Sequence, residues 1–108
     1  MNELREKIGK LASEELERAN SKFPPFNSTH EGQNVLREEV EEAEFEMACV
    51  KTYTSELWEA VKFNESRGYF YTTLNKIKQS AELLAAEAVQ VSAMAQKFLD
   101  FMGEDKGE

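Results

Sequence analysis

The chain has 108 residues, 41% hydrophobic and 31% charged, which is enough for one domain and too few for two ordinary ones. Thirteen basic residues against 21 acidic ones leave a formal net charge of −8; this argues against a nucleic-acid polymer or an anionic membrane surface as the main partner and suits a cation, or a substrate that arrives with one. No apolar run approaches a membrane span, the opening MNELREKIGK lacks the apolar core of a signal peptide, and the lone Cys49 has no intrachain partner, so a cytoplasmic protein is expected.

Helical periodicity accounts for nearly the whole sequence. Leu4, Ile8, Leu11, Ala12, Leu16 and Ala19 follow helical spacing, which predicts a first helix over about 2–22. Pro24 and Pro25 then stop it, because proline lacks an amide donor and restricts the residue before it. A connector over 23–28 follows. Ser28 or Thr29 can cap a further helix, and Glu31 lies three residues after Ser28 as in a capping box, so a second helix is expected from about 29 to 64. Along it Leu36, Val40, Ala43, Met47, Val50, Thr54, Leu57 and Val61 alternate steps of four and three. Phe70, Leu74, Ile77, Ala81, Leu84, Ala88, Val91, Ala95, Phe98 and Met102 do the same over a third helix, about 68–102, before a tail at 103–108. Steps of this kind mark helices packed lengthwise.

Gly68 is the strong breaker between the two runs, so they are expected to form a long antiparallel hairpin. Strand signals are absent. The expectation is a single all-α helical bundle, and since a thin hairpin and one further helix leave much of each arm uncovered, a homo-oligomer, dimer or tetramer, is expected. A kink near Tyr53 folding the second helix back into a monomeric bundle is the alternative.

Residues 37–46 read REEVEEAEFE, with six glutamates in ten positions. Like charges three or four apart on a helix repel unless a cation neutralises them. Glu39 and Glu42 immediately precede Val40 and Ala43 of the stripe, and Glu87 and Gln90 precede Ala88 and Val91 in the same way. With a turn near 65–67 the two pairs lie at one height and meet across the seam. Oxygen ligands drawn from facing helices suit a hard divalent ion such as Mg²⁺. The same spacing also fits carboxylates on the rim of a coiled coil.

The segments HEGQNVLREEVEEAEFE and LLAAEAVQVSAMAQKF resemble the MazG-like, all-α nucleoside triphosphate pyrophosphohydrolases, whose motifs are E-E-x-x-E on one helix and E-x-x-D on a later one. The likeness covers about residues 29–102. It implies an oligomeric helical bundle that uses Mg²⁺ to cleave a nucleoside triphosphate between the α- and β-phosphates. Glu38-Glu39-Val40-Glu41-Glu42 matches the first motif, and Glu87-Ala88-Val89-Gln90 stands at the second, with Gln90 where the family has aspartate. The interval 43–86 is also longer than is usual in the family. On this resemblance Glu39, Glu42, Glu87 and Gln90 are the expected metal ligands and Glu38 the expected general base. Lys97, on the stripe of Glu87 and Gln90, is placed to touch a phosphate; Phe26, His30 and Asn34, at the motif end of the second helix, are placed to meet the base. The alternative is a non-catalytic helical oligomer or interaction module on the same fold, with a weakened metal site.

Overall fold

The computed structural model describes residues 2–106, with side chains through Gly103. Three helices make up the fold, α1 (Asn2–Lys22), α2 (Thr29–Lys62) and α3 (Arg67–Lys106), and there is no strand among the described residues. The expected all-α architecture is thus present.

The helix ends follow from local chemistry. At the end of α1 the Phe23 amide still reaches the Ala19 carbonyl at 2.9 Å, and Pro24 has no amide with which to continue. At the start of α2 the Ser28 hydroxyl accepts from the Glu31 amide at 3.1 Å, and the Glu31 carboxylate accepts from the Asn27 amide at 3.0 Å. This is the capping box of the sequence, with the carboxylate reaching one residue further back. Beyond it α2 is continuous through Tyr53, so the chain does not fold back there.

The turn between α2 and α3 is built differently from the expectation. Asn64, not Gly68, adopts the left-handed conformation, with φ 54°. The Glu65 amide donates to the Ala60 carbonyl at 3.0 Å and the Asn64 amide to the Val61 carbonyl at 3.3 Å, which is the paired pattern of a Schellman cap with asparagine at its left-handed position. Helix α2 therefore closes at Lys62, two residues short of the expected end. Ser66 then caps α3, its hydroxyl accepting from the Tyr69 amide at 3.3 Å, and Gly68 is simply a residue of the first turn. At its far end α3 continues past Met102 to Lys106; residues 107 and 108 of the expected tail lie outside the described residues.

Packing divides the chain into two compact units, one of Met1–Glu41 with Glu87–Glu108, the other of Glu42–Ala86. The first gathers α1, the connector, the beginning of α2 and the end of α3. Its core is Phe26, Ala93 and Met94, with Leu16, Ala19, Val35, Leu36, Phe98 and Phe101 packed against them. The Phe26 ring meets Phe98 edge-on, centroids 6.1 Å apart. Gly32 is buried beside them because a Cβ there would stand 2.9 Å from the Phe98 ring. The second unit is a helical hairpin whose buried positions are small: Ala60, Thr73 and Ser80.

On both long helices the row that packs is not the expected one. Between the fixed rows Leu36, Ala43, Val50, Leu57 and Phe70, Ile77, Leu84, Val91, Phe98, the spacing selects Val40, Met47, Thr54, Val61 and Leu74, Ala81, Ala88, Ala95, Met102. The structure instead buries or half-buries the neighbours Glu39, Glu46, Tyr53, Ala60 and Thr73, Ser80, Glu87, Met94, Phe101. Of the expected set only Ala95 is even half-buried; Val40, Met47, Val61, Leu74 and Met102 are exposed. Both choices keep the 3.5-residue period.

The turn supplies a direct test. Gly68→Ala should raise stability by about 0.5–1 kcal/mol, since it replaces a helical glycine in open space. Asn64→Ile should lower it by about 1–2 kcal/mol, because a β-branched residue is strained at positive φ. Chemical denaturation of both variants measures the pair, and a destabilising Gly68→Ala would return the turn to Gly68.

Candidate metal centre

Helix α2 carries Glu39 on its contact row and α3 carries Glu87 on its own, both half-buried within the first unit. The Glu87 Oε2 atom is shielded from solvent. Glu42 is the first residue beyond that unit, but it sits one turn from Glu39 on the same unbroken helix, so α2 itself fixes its place; it is exposed. One carboxylate oxygen from each of Glu39, Glu42 and Glu87 lies within 4.8 Å of the others. Three of the four expected ligands are thereby brought together.

The donor set fits a hard divalent cation. Oxygens bound to Mg²⁺ at about 2.0–2.1 Å are ~2.9 Å apart when adjacent and ~4.2 Å apart across the ion, so the three side chains would have to turn inward to share one. Three carboxylates so close repel one another, and a cation between them turns that repulsion into attraction.

Gln90, the fourth expected ligand, is half-buried one turn after Glu87. Its Nε2 donates to the Glu15 Oε2 atom at 2.6 Å, which ties α3 to α1. Glu15 was not among the residues singled out from the sequence. A signal for it existed: it lies three residues after the buried Ala12 and four before the half-buried Ala19, on the inward stripe of α1. The Gln90 amide first, and then the Arg18 guanidinium bonded to the same carboxylate, hold Glu15 below the usual glutamate range.

The remaining expected residues divide. Glu38 is exposed on α2, about 100° around the helix from Glu39. His30 and Asn34 are exposed and line a cavity of about 340 Å³ with Thr29, Gln33 and Phe98. Phe26 is placed in the core, where its ring packs on Phe98. Lys97 is only 6% exposed, with its Nζ 5.0 Å from the Phe26 ring centroid, and it borders a second cavity, of about 290 Å³, with Asn20, Phe23, Pro25, Asp100 and Phe101. A buried ammonium on an aromatic face is a cation–π contact.

No family model, no curated protein and no solved structure matches the chain.

Because the folded state lowers the Glu15 pKa, its contribution to stability is complete above the ordinary glutamate pKa and is lost as pH falls through the depressed value. A carbon-detected NMR titration should place the Glu15 midpoint below that of ordinary glutamates. Gln90→Leu should move it upward, and an unmoved midpoint would mean that the Gln90 contact does not set it.

Proposed function

We propose that this chain is a Mg²⁺-dependent nucleoside triphosphate pyrophosphohydrolase, acting in the cytoplasm as a homo-oligomer. The observation that carries the reading is the convergence of Glu39, Glu42 and Glu87, drawn from two helices, to within 4.8 Å. The resemblance of the same residues to the E-E-x-x-E and E-x-x-D motifs supports it. Mg²⁺ held there supplies charge neutralisation for the triphosphate and Lewis acidity at the reacting phosphate.

In this reading Glu39, Glu42 and Glu87 would hold the ion, and it would neutralise the phosphates of the substrate. Glu38, exposed beside them, takes the proton of the attacking water as its oxygen bonds to the α-phosphorus. The bond from that phosphorus to the bridging oxygen breaks, and the products are a nucleoside monophosphate and pyrophosphate. Lys97 lies ten residues beyond Glu87, about 15 Å along α3, so it serves a distal part of the nucleotide rather than the reacting phosphate. His30 and Asn34, with Phe98 as an apolar wall, offer amide and imidazole groups to a base.

The homo-oligomer is supported by what one copy leaves uncovered. Among the described residues no large side chain is fully buried, while Met47, Val61 and Leu74 of the hairpin unit are 43%, 52% and 47% exposed. An apolar row of this kind is covered at low cost by a second helix carrying the same row. The second reading, a non-catalytic helical assembly, is favoured by the same exposed rows and dispenses with the ion.

Melting with and without millimolar Mg²⁺ separates the two, since an ion that binds only the folded chain raises its stability. Glu42→Gln should leave metal-free stability unchanged or raise it by a few tenths of a kcal/mol by removing like-charge repulsion, yet lower it in saturating Mg²⁺. Glu38→Gln should retain the Mg²⁺ effect and lose roughly 10²-fold in the rate of pyrophosphate release, measured across canonical and modified triphosphates. Absence of both the Mg²⁺ shift and pyrophosphate release would leave the non-catalytic assembly. Light scattering should give at least a dimer, and a monomer at tens of micromolar would remove the oligomer from the proposal.

A further inference from the structure

Within the first unit, the end of α1, the connector and the last third of α3 border a cavity of about 290 Å³, lined by Asn20, Phe23, Pro25, Lys97, Asp100 and Phe101. That volume is at the low end for small-molecule sites, so it suits one ring system rather than a whole nucleotide. Lys97 is 6% exposed, and with the described residues its ammonium makes no hydrogen bond and no ion pair, only the contact with the Phe26 ring at 5.0 Å. Asp100 stands three residues on, a spacing at which lysine and a carboxylate on one helix commonly pair. These two do not; Asp100 Oδ1 accepts from Gln96 Nε2 at 2.8 Å instead. A group that only donates and a group that only accepts thus border one cavity unjoined, and a ligand between them must present an acceptor beside a donor. A phosphate fits poorly, since it would meet the Asp100 carboxylate. The walls are apolar and include two rings, Phe101, half-buried, and Phe23, left 63% exposed at the cavity. Such rings offer flat faces for stacking.

We propose that this cavity binds the keto edge of a purine or pyrimidine ring: the Lys97 ammonium donates to a ring carbonyl oxygen, Asp100 accepts from the adjacent ring N–H, and Phe23 and Phe101 stack on the ring. Lysine to a base carbonyl and a carboxylate to a base N–H are the pairings that the chemistry of base edges favours. Hypoxanthine, guanine, uracil and thymine carry a carbonyl beside an N–H. Adenine has no carbonyl, and that of cytosine is not next to an N–H. This deepens the nucleotide reading given above, on which it rests for the triphosphate alone, by making a keto base the part that Lys97 serves. Ring binding itself needs no ion. The cavity of His30 and Asn34 shares no residue with this one, and its polar residues are all exposed, so the buried charge favours Lys97 as the base contact.

The experiment is a titration of the full chain, isotope-labelled and kept metal-free by a chelator, with inosine, uridine, adenosine and cytidine, read from backbone amide shifts. Inosine and uridine should bind about 10-fold more tightly than adenosine and cytidine, and methylation of their ring N–H should cost about as much. Lys97→Met keeps an apolar stem on Phe26, and Asp100→Ala changes an exposed side chain; each should weaken inosine by about 10-fold. Equal binding of all four nucleosides, or of the methylated forms, overturns the keto edge. Affinity unaltered in either variant, or shifts confined to His30, Asn34 and their neighbours, places the ring elsewhere and overturns the site. Should Lys97→Met fail to fold, Asp100→Ala decides alone. A chain that releases pyrophosphate from triphosphates but binds none of the nucleosides overturns this inference and leaves the hydrolysis reading. Nucleoside binding of the stated pattern without pyrophosphate release sustains the ring site and removes the hydrolysis.

Discussion

The edge-on contact between Phe26 and Phe98 is the constraint on which the first unit depends. Phe26 comes from the connector and Phe98 from the last third of α3, and the ring of Phe98 fits only because Gly32 presents no side chain to it. One turn of α2 is thereby held against α3. Everything toward Glu39 and Glu87 follows from that, since two regular helices fixed at one point rise at the same rate per residue. The capping box at Ser28 and Glu31 sets where α2 starts, and so which residues arrive opposite Phe98. A loop residue expected to meet a ligand is instead the ring that clamps the unit.

Much of this was legible in the sequence because the signals were chemical and local. Two prolines end α1, a serine and a glutamate start α2, and the symmetry of the turn places residues 39–42 level with 87–90. What escaped was of two kinds. At the turn, glycine is the usual signal for a left-handed residue, but asparagine tolerates the same conformation, and Asn64 came first in the chain. On the long helices two adjacent rows share one period, and the expected row is not the one that packs. Hydrophobicity favoured the row of Val40, Met47 and Leu74, whereas the single chain packs through small residues such as Ala60, Thr73 and Ser80. Periodicity reports that a face exists and cannot by itself say which flank of that face meets which neighbour.

Row choice matters for the chemistry. Had Val40 and Ala88 formed the contact, Glu39 and Glu87 would stand on its border, as solvated carboxylates. With Glu39 and Glu87 on the contact rows themselves, acidic side chains enter a half-buried setting, where a charge interacts more strongly with whatever neutralises it. Glu15 was passed over for a related reason: it lies in a helix rich in glutamate, and its spacing from Ala12 and Ala19, which separates it from the exposed Glu14 and Glu17, is a weak signal beside the glutamate run of α2.

The connectivity of the two units carries a further consequence, for the order in which the chain assembles. The unit of Glu42–Ala86 is contiguous, whereas the other joins the two ends of the chain. Closing the hairpin at Asn64 requires only a short loop, while bringing α1 against the end of α3 requires the whole chain to be looped back. Once the hairpin exists, most of that loop is already spent, and the entropy opposing the second closure falls. Local contacts of this kind also form fastest. The glutamates would therefore come together last, after the hairpin has set the register, so that their mutual repulsion acts on a chain already committed to its topology.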